Sequence, residues 1–159
     1  MIITYPDGNT ITFRDGATFF DAAVSISEGF ARKALAARVN GRLYDLSAPL
    51  PGDIAVTFIM FDDDEGQQMY WHSTAHIMAA AVKRLFPGVK VAIGPAIDDG
   101  FYYDFDVDTP FTEDDLARIE TEMKAIVVAN DPFIREVVDK DKAAERFSGE
   151  NETYKVELI

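Results

Sequence analysis

The only two histidines of the chain, His72 and His76, stand four residues apart at the start of an apolar-periodic segment. In a helix, this spacing stacks both imidazoles on one face. Because imidazole titrates near neutral pH, the pair can act as general base and general acid on a bound substrate. The spacing alone leaves two other interpretations open. The histidines are metal ligands, or they are a structural pair that is exposed or hydrogen-bonded at a helix start.

A metal site at the histidines would need a third and a fourth donor. The helical zinc-protease pattern also needs a glutamate directly after the first histidine, and this chain has Ser73 there. The chain contains no cysteine, which excludes disulfides and thiolate ligands. A metal hydrolase that uses Asp104 as a third ligand is the weakest of the hypotheses.

Two further groups of residues have chemical potential. In a strand, Tyr103 shares one face with its aromatic neighbours two positions away, and tyrosine hydroxyls are plausible donors in a pocket. Gly94-Pro95 interrupts the preceding strand and is consistent with close approach by a ligand. Lys83, Arg84 and Lys90 form either a contact for an RNA backbone or an ordinary solvated helix face.

The elements that must position these groups fall into two halves. In the first, a strand–turn–strand signal, a helix capped by Thr18 and an Asn40-Gly41 hairpin predict a sheet curled over one helix, a β-grasp arrangement over residues 1–61. The acidic stretch 61–66 predicts a linker, with a surface loop as the alternative.

Residues 62–159 indicate a second, α+β domain, in which the histidine helix packs on an antiparallel sheet. That helix is predicted from Gln68 to Phe86, and Asp98-Asp99-Gly100 predicts a hairpin after it. Further along, the pattern predicts a helix capped by Thr112 and Asp115, a strand at 133–138, a short helix at 139–147, and either a helix or a strand at 153–159.

The net charge of −13 is concentrated in the second half, since residues 1–60 carry six acidic and five basic side chains. An acidic chain is a poor binder of nucleic acid on its own, because phosphate affinity is mainly electrostatic. No apolar run approaches the length of about 18 residues that a membrane span needs. We also find no secretory signal, so we expect a cytoplasmic protein that binds neither membrane nor DNA.

Three motifs, in this order and spacing, carry a resemblance to a known family. They are Trp-His-Ser-Thr-Ala-His at 71–76, Val-Lys-Arg-Leu-Phe-Pro at 82–87 and Ala-Ile-Gly-Pro-Ala-Ile-Asp-Asp-Gly-Phe-Tyr-Tyr-Asp-Phe at 92–105. Together with residues 152–158, they resemble the amino-terminal region of bacterial threonyl-tRNA synthetase. Residues 1–61 resemble its ubiquitin-like TGS domain. Residues 62–159 resemble the first part of its editing domain, a type shared with alanyl-tRNA synthetases.

The resemblance implies a function. The family ligates threonine to tRNA with ATP, and its editing domain hydrolyses mischarged seryl-tRNA. By position, His72, His76 and Lys155 match catalytic residues of the editing site, and Tyr103 matches a substrate-binding tyrosine. A cysteine and a further histidine complete that site in the family and are absent here. We therefore expect this fragment to be inactive alone and to hold no metal.

The resemblance also implies partners and cofactors. The parent would bind the aminoacylated 3′ end of tRNA, would dimerise through domains absent here, and would hold ATP and zinc in its catalytic domain. No cofactor is expected in this fragment. The alternative is a non-catalytic β-grasp module that docks or regulates, with a purely structural histidine helix.

Overall fold

The computed structural model describes residues 1–134 and 136–159, which form two compact units, Met1–Tyr70 and Trp71–Ile159. The predicted boundary between residues 61 and 62 stays a prediction. No helix within the described ranges combines the length and apolar character that crossing a membrane requires.

The first unit alternates short strands with two helices before a long helix begins. Its elements are β1 (Ile2–Thr4), β2 (Thr10–Thr12), α1 (Phe19–Ile26), α2 (Glu28–Ala31), β3 (Ala36–Val39), β4 (Arg42–Tyr44), β5 (Ile54–Ala55), β6 (Thr57–Ile59) and the start of α3 (Asp64–Leu85).

Strand pairing confirms the predicted β-grasp arrangement. The strand β1 pairs antiparallel with β2 and parallel with β5, while β3 pairs antiparallel with β4 and β6. Val56 separates β5 from β6, and its N–H donates to the Thr4 carbonyl at 3.0 Å. The helix α1 covers this core, and the Phe19 and Ile3 side chains are fully buried in it. Apolar burial of this kind is the main source of stability in a small fold.

The second unit consists of helices and two small antiparallel sheets. Its elements are the rest of α3, β7 (Lys90–Val91), β8 (Ala96–Ile97), β9 (Gly100–Phe101), β10 (Phe105–Asp106), α4 (Glu113–Ala129), α5 (Lys140–Gly149) and α6 (Thr153–Leu158). The strands pair as β7 with β10 and β8 with β9. This α+β architecture confirms the predicted fold class.

The histidine helix packs on another helix as well as on the sheet. Ala81 and Val82 of α3 meet Ile119 of α4 in a buried cluster, and the sheet adds Phe105 at its edge. The predicted packing of α3 on the antiparallel sheet is therefore only one part of its environment.

Two predictions about local structure are wrong. The acidic stretch 61–66 is not a linker throughout, because α3 already begins at Asp64. A Cβ at Gly66 would overlap the Met60 carbonyl, so the absence of a side chain lets this turn approach the preceding backbone. The strand predicted at 133–138 is not formed by its described residues, and Arg135 lies outside them.

The capping box predicted for α4 is present, and a substitution can test its contribution to stability. Thr112 Oγ1 accepts from the Asp115 N–H at 3.2 Å, and the Asp115 carboxylate accepts from the Thr112 N–H at 3.0 Å. Thr112→Ala should lower the free energy of unfolding by about 1 kcal/mol. Urea denaturation followed by the fluorescence of Trp71, the only tryptophan, measures this change.

Thr121→Ala in the same helix is the matched control, because alanine has the higher helix propensity there. Equal losses for the two variants would contradict a specific capping role for Thr112.

Candidate functional site

The helix α3 brings the two histidines into direct contact. Their Nε2 atoms are 3.0 Å apart, and the rings stand nearly perpendicular, at 87°, with centroids 4.5 Å apart. One ring nitrogen must donate and the other accept, so the pair binds at most one proton between the facing atoms. The i, i+4 stacking predicted from the sequence is confirmed.

The environment favours the neutral form of His76. Partial desolvation is the largest cause of its lowered pKa, followed by the charges of His72 and Lys155. The side chain still keeps an exposed side, so its ring is open to a substrate or a water molecule. A neutral imidazole of this kind can accept a proton near neutral pH.

Lys155 on α6 acts on His76 electrostatically. Its Nζ lies 5.4 Å from the centre of the Phe147 ring. Lys155 makes no ion pair with any residue of the described ranges. Its charge is therefore available to an electron-rich group on a ligand, as in sites that stabilise a developing oxyanion.

Tyr103 lies on an interrupted hairpin. Between β7–β10 and β8–β9, the Ala92 N–H donates to the Asp104 carbonyl and the Asp104 N–H donates to the Ile93 carbonyl, each at 3.0 Å. The odd-numbered side chains in this stretch are the more buried, which confirms the predicted alternation. Burial, followed by the Glu152 charge, raises the pKa of Tyr103, so its hydroxyl stays protonated as a donor.

Gly94 is explained by this tyrosine and needs no ligand. A Cβ at Gly94 would overlap the ring of Tyr103. This ring also stacks on the Phe105 ring, with 5.0 Å between the two ring centroids. The interruption at Gly94-Pro95 therefore makes room for a side chain of the protein itself.

Sequence reasoning missed Glu152. Its side chain is only 3% exposed, and one carboxylate oxygen accepts from Lys83 on α3. The signal was available, because Lys83 follows His76 by seven residues and so lies on the same helix face. A cation there indicates a nearby anion, although nothing in the sequence indicates that the anion is Glu152.

The structure does not support the metal hypothesis. Within residues 1–134 and 136–159, no three histidine, aspartate or glutamate side chains come together as a metal site. Asp104 is thus not grouped with His72 and His76. Two imidazoles alone are too few for a tetrahedral zinc centre.

The predicted basic cluster is largely neutralised. Lys83 pairs with Glu152, and Arg84 pairs with Glu122 at 3.0 Å. These two side chains are paired with carboxylates from distant parts of the chain, whereas Lys90 makes no ion pair within residues 1–134 and 136–159.

An open cleft of about 410 Å³ borders His76. Its wall combines apolar side chains of α3 and α4 with Arg84 and Asp131. In the described part of the chain, this cleft reaches His76 but none of the other three predicted site residues.

Comparison with known proteins gives consistent matches. Residues 1–60 match the TGS domain model. The chain is 51% identical over 157 residues to a threonine--tRNA ligase of Desulforamulus reducens, covering 99% of this chain and 25% of that protein. The corresponding enzymes of Acetivibrio thermocellus and Finegoldia magna are 48% and 46% identical, over 99% and 96% of this chain. The chain spans about a quarter of the length of these curated relatives.

The close fit of Tyr103 over Gly94 predicts a stability effect. Gly94→Ala should lower the free energy of unfolding by about 1–3 kcal/mol, because the added methyl displaces the ring. Urea denaturation with Trp71 fluorescence measures it. Gly149→Ala is the control, since nothing lies within 4 Å of the added Cβ there. Equal effects at Gly94 and Gly149 would refute the predicted overlap.

The lowered pKa of His76 predicts an acid-sensitive fold. The unfolded histidine, with its ordinary pKa of about 6.5, takes up a proton before the folded one does. The full free energy of unfolding is therefore present above about pH 6.5 and declines as the pH falls through the folded pKa.

His76→Gln should flatten this part of the pH profile. Urea denaturation at a series of pH values gives the free energy of unfolding of the unsubstituted chain and of His76→Gln. Both proteins contain the same carboxylates, so a difference between their profiles comes from His76. Superimposable profiles would show that His76 contributes no such linkage.

Proposed function

Because the chain resembles the amino-terminal part of threonine--tRNA ligases along its whole length, we propose that it contributes to hydrolysis of serine wrongly esterified to their tRNA. The observation that carries this proposal is the grouping of a neutral imidazole, a second imidazole in contact with it, and a lysine charge. A water molecule, a base and a cation are the minimum that ester hydrolysis needs.

The step assigns each group a role. His76 removes a proton from a water molecule as the water oxygen bonds to the ester carbonyl carbon. Lys155 stabilises the negative charge that develops on the carbonyl oxygen. The bond to the ribose oxygen then breaks, and the proton passes from the imidazole pair to that leaving oxygen. Because the facing Nε2 atoms already share one proton, the step requires His76 to donate that proton to His72, so that the other ring nitrogen of His76 takes up the proton of the water and returns it.

To discriminate serine from threonine, a ligase needs an editing site in addition to the site that attaches the amino acid. Serine differs from threonine by one methyl group, and one methyl is worth only about 1–3 kcal/mol in a binding pocket. A pocket that excludes the larger side chain by size corrects the resulting errors. Tyr103, held in place by Gly94 and Phe105, supplies a rigid wall and a hydroxyl donor for this pocket.

This chain supplies one part of the site. The resemblance assigns a cysteine and a further histidine to a segment outside these 159 residues, and ligation with ATP, zinc binding and dimerisation to other domains. We propose that those activities, and a cytoplasmic location, belong to the assembled ligase. Residues 1–159 alone should show little deacylase activity.

The expected partner is the 3′ end of an aminoacylated tRNA. Several basic side chains of the second unit are already paired with carboxylates, including Arg118, Lys124, Lys142 and Arg146. Lys155 is not paired in this way within the described ranges, so contact should centre on the ester end of the tRNA.

The alternative function is binding by the β-grasp unit alone. It has its own core and matches the TGS model over residues 1–60. Specific cross-linking of residues 1–60 to tRNA or to a protein, with unchanged hydrolysis in the histidine variants, would favour this alternative.

A chimaera tests the editing proposal. Residues 1–159 replace the matching quarter of the Desulforamulus reducens ligase, and release of labelled serine from seryl-tRNA is measured. His76→Ala and Lys155→Ala should each slow release by about 100-fold or more, since each removes a group that acts on the reacting atoms. Charging with threonine should be unchanged.

Lys124→Ala is the matched control, because Lys124 is an exposed lysine on α4. Unchanged serine release in His72→Ala and His76→Ala would refute the catalytic assignment.

A further inference from the structure

Glu152 is the one charged side chain that is buried among the described residues. One of its oxygens accepts from Lys83, while Oε2 is buried and has no hydrogen-bond partner there. A buried carboxylate with an unsatisfied oxygen costs free energy. An apolar residue would fill this position without that cost, so the arrangement calls for a specific explanation.

The bond to Lys83 joins two elements that carry site residues. Lys83 follows His76 by two helical turns on α3, and both lie on one face. Glu152 is the N-cap of α6, and its carbonyl accepts from the Lys155 N–H at 3.1 Å. The ion pair therefore ties the first turn of α6 to the histidine face of α3.

The helix α6 depends on such ties. It has six residues, which is too short for a helix that is stable by itself. Two further polar ties are the Glu152 N–H, which donates to the Phe147 carbonyl on α5 at 2.9 Å, and the Tyr154 hydroxyl, which donates to Asp106 on β10 at 3.0 Å. Lys155 follows directly, so its position relative to His76 depends on these anchors, which precede it in the chain.

We infer that Glu152 is a positioning residue, which holds α6 on α3 through Lys83 and so sets the separation between the Lys155 ammonium and the His76 imidazole. Its consequence for hydrolysis rests on the proposed function, whereas the geometric relation does not. Glu152 itself touches no reacting atom, because it is buried.

Nuclear magnetic resonance of the 159-residue chain tests the geometry. With only two histidines, the His76 resonance is assigned by comparison with His72→Gln. Among residues 1–134 and 136–159, the charged and titratable groups that act on His76 or share its cleft are His72 and Arg84 on α3, Lys155 on α6 and Asp131 after α4. Arg84 and Asp131 are unchanged in every variant.

Glu152→Ala should raise the pKa of His76, because Lys155 moves away and its charge no longer opposes protonation. Loss of the negative charge of Glu152 would by itself lower the pKa of His76, so a raised pKa cannot come from that loss. Lys155→Met should also raise the pKa. Glu157→Ala removes an exposed carboxylate of α6 and should produce no rise.

The double variant decides between positioning and general loosening. If Glu152 acts through Lys155, Glu152→Ala should add no further rise in the Lys155→Met background. An unchanged His76 pKa in Glu152→Ala, or an equal rise in both backgrounds, would overturn the inference. Glu152→Gln keeps the size and an acceptor for Lys83, and should give a smaller rise. If the alanine variant does not fold, absence of a rise with glutamine overturns the inference.

The chimaera separates this inference from the proposed function. Glu152→Ala should lower kcat for serine release by about 10–100-fold with little change in KM, because a misplaced cation weakens only the reacting geometry. If the resonance cycle behaves as expected but Lys155→Met leaves serine release unchanged, the proposed function fails and the positioning role stands.

Discussion

The face of α3 that carries His72, His76 and Lys83 is the constraint on which the candidate site depends. Helical geometry places the two imidazoles on one face, where their Nε2 atoms are 3.0 Å apart, and aligns the lysine two turns further on. Alanines at 75 and 79 and Val82 are buried, which holds the helix in place. The polar groups are thus presented by a rigid element, which is the usual requirement for precise chemistry.

Charge is organised around this face despite the acidic composition. Desolvation, His72 and Lys155 all lower the pKa of His76 and so favour its neutral form. The Lys155 side chain itself makes no ion pair within the described ranges. Glu152 adds a buried negative charge beside Tyr103 and Lys83. The result is an imidazole that is held neutral within the electrostatic range of the Lys155 charge.

Local signals predicted a large part of the fold. The predicted Thr18 cap and Thr112 capping box are both formed, and Asn40-Gly41 forms the predicted hairpin with positive φ at both residues. These features depend on neighbours within four residues, so a single sequence contains the information. The described residues of the segment 133–138 do not form the predicted strand. Its apolar side chains Ile134 and Val137 are each 79% exposed, so they gain none of the burial that normally stabilises a strand.

The sequence by itself determined which side chains share a helix face or a strand face, since helical and strand periods are properties of the local backbone. It also determined that His72 and His76 meet, and the family resemblance singled out Lys155 and Tyr103. Only the tertiary structure decided that Glu152 is buried against Lys83, that Gly94 makes room for Tyr103, and that the Lys155 charge on α6 acts on His76. Those contacts join residues far apart in the chain, and packing selects such partners.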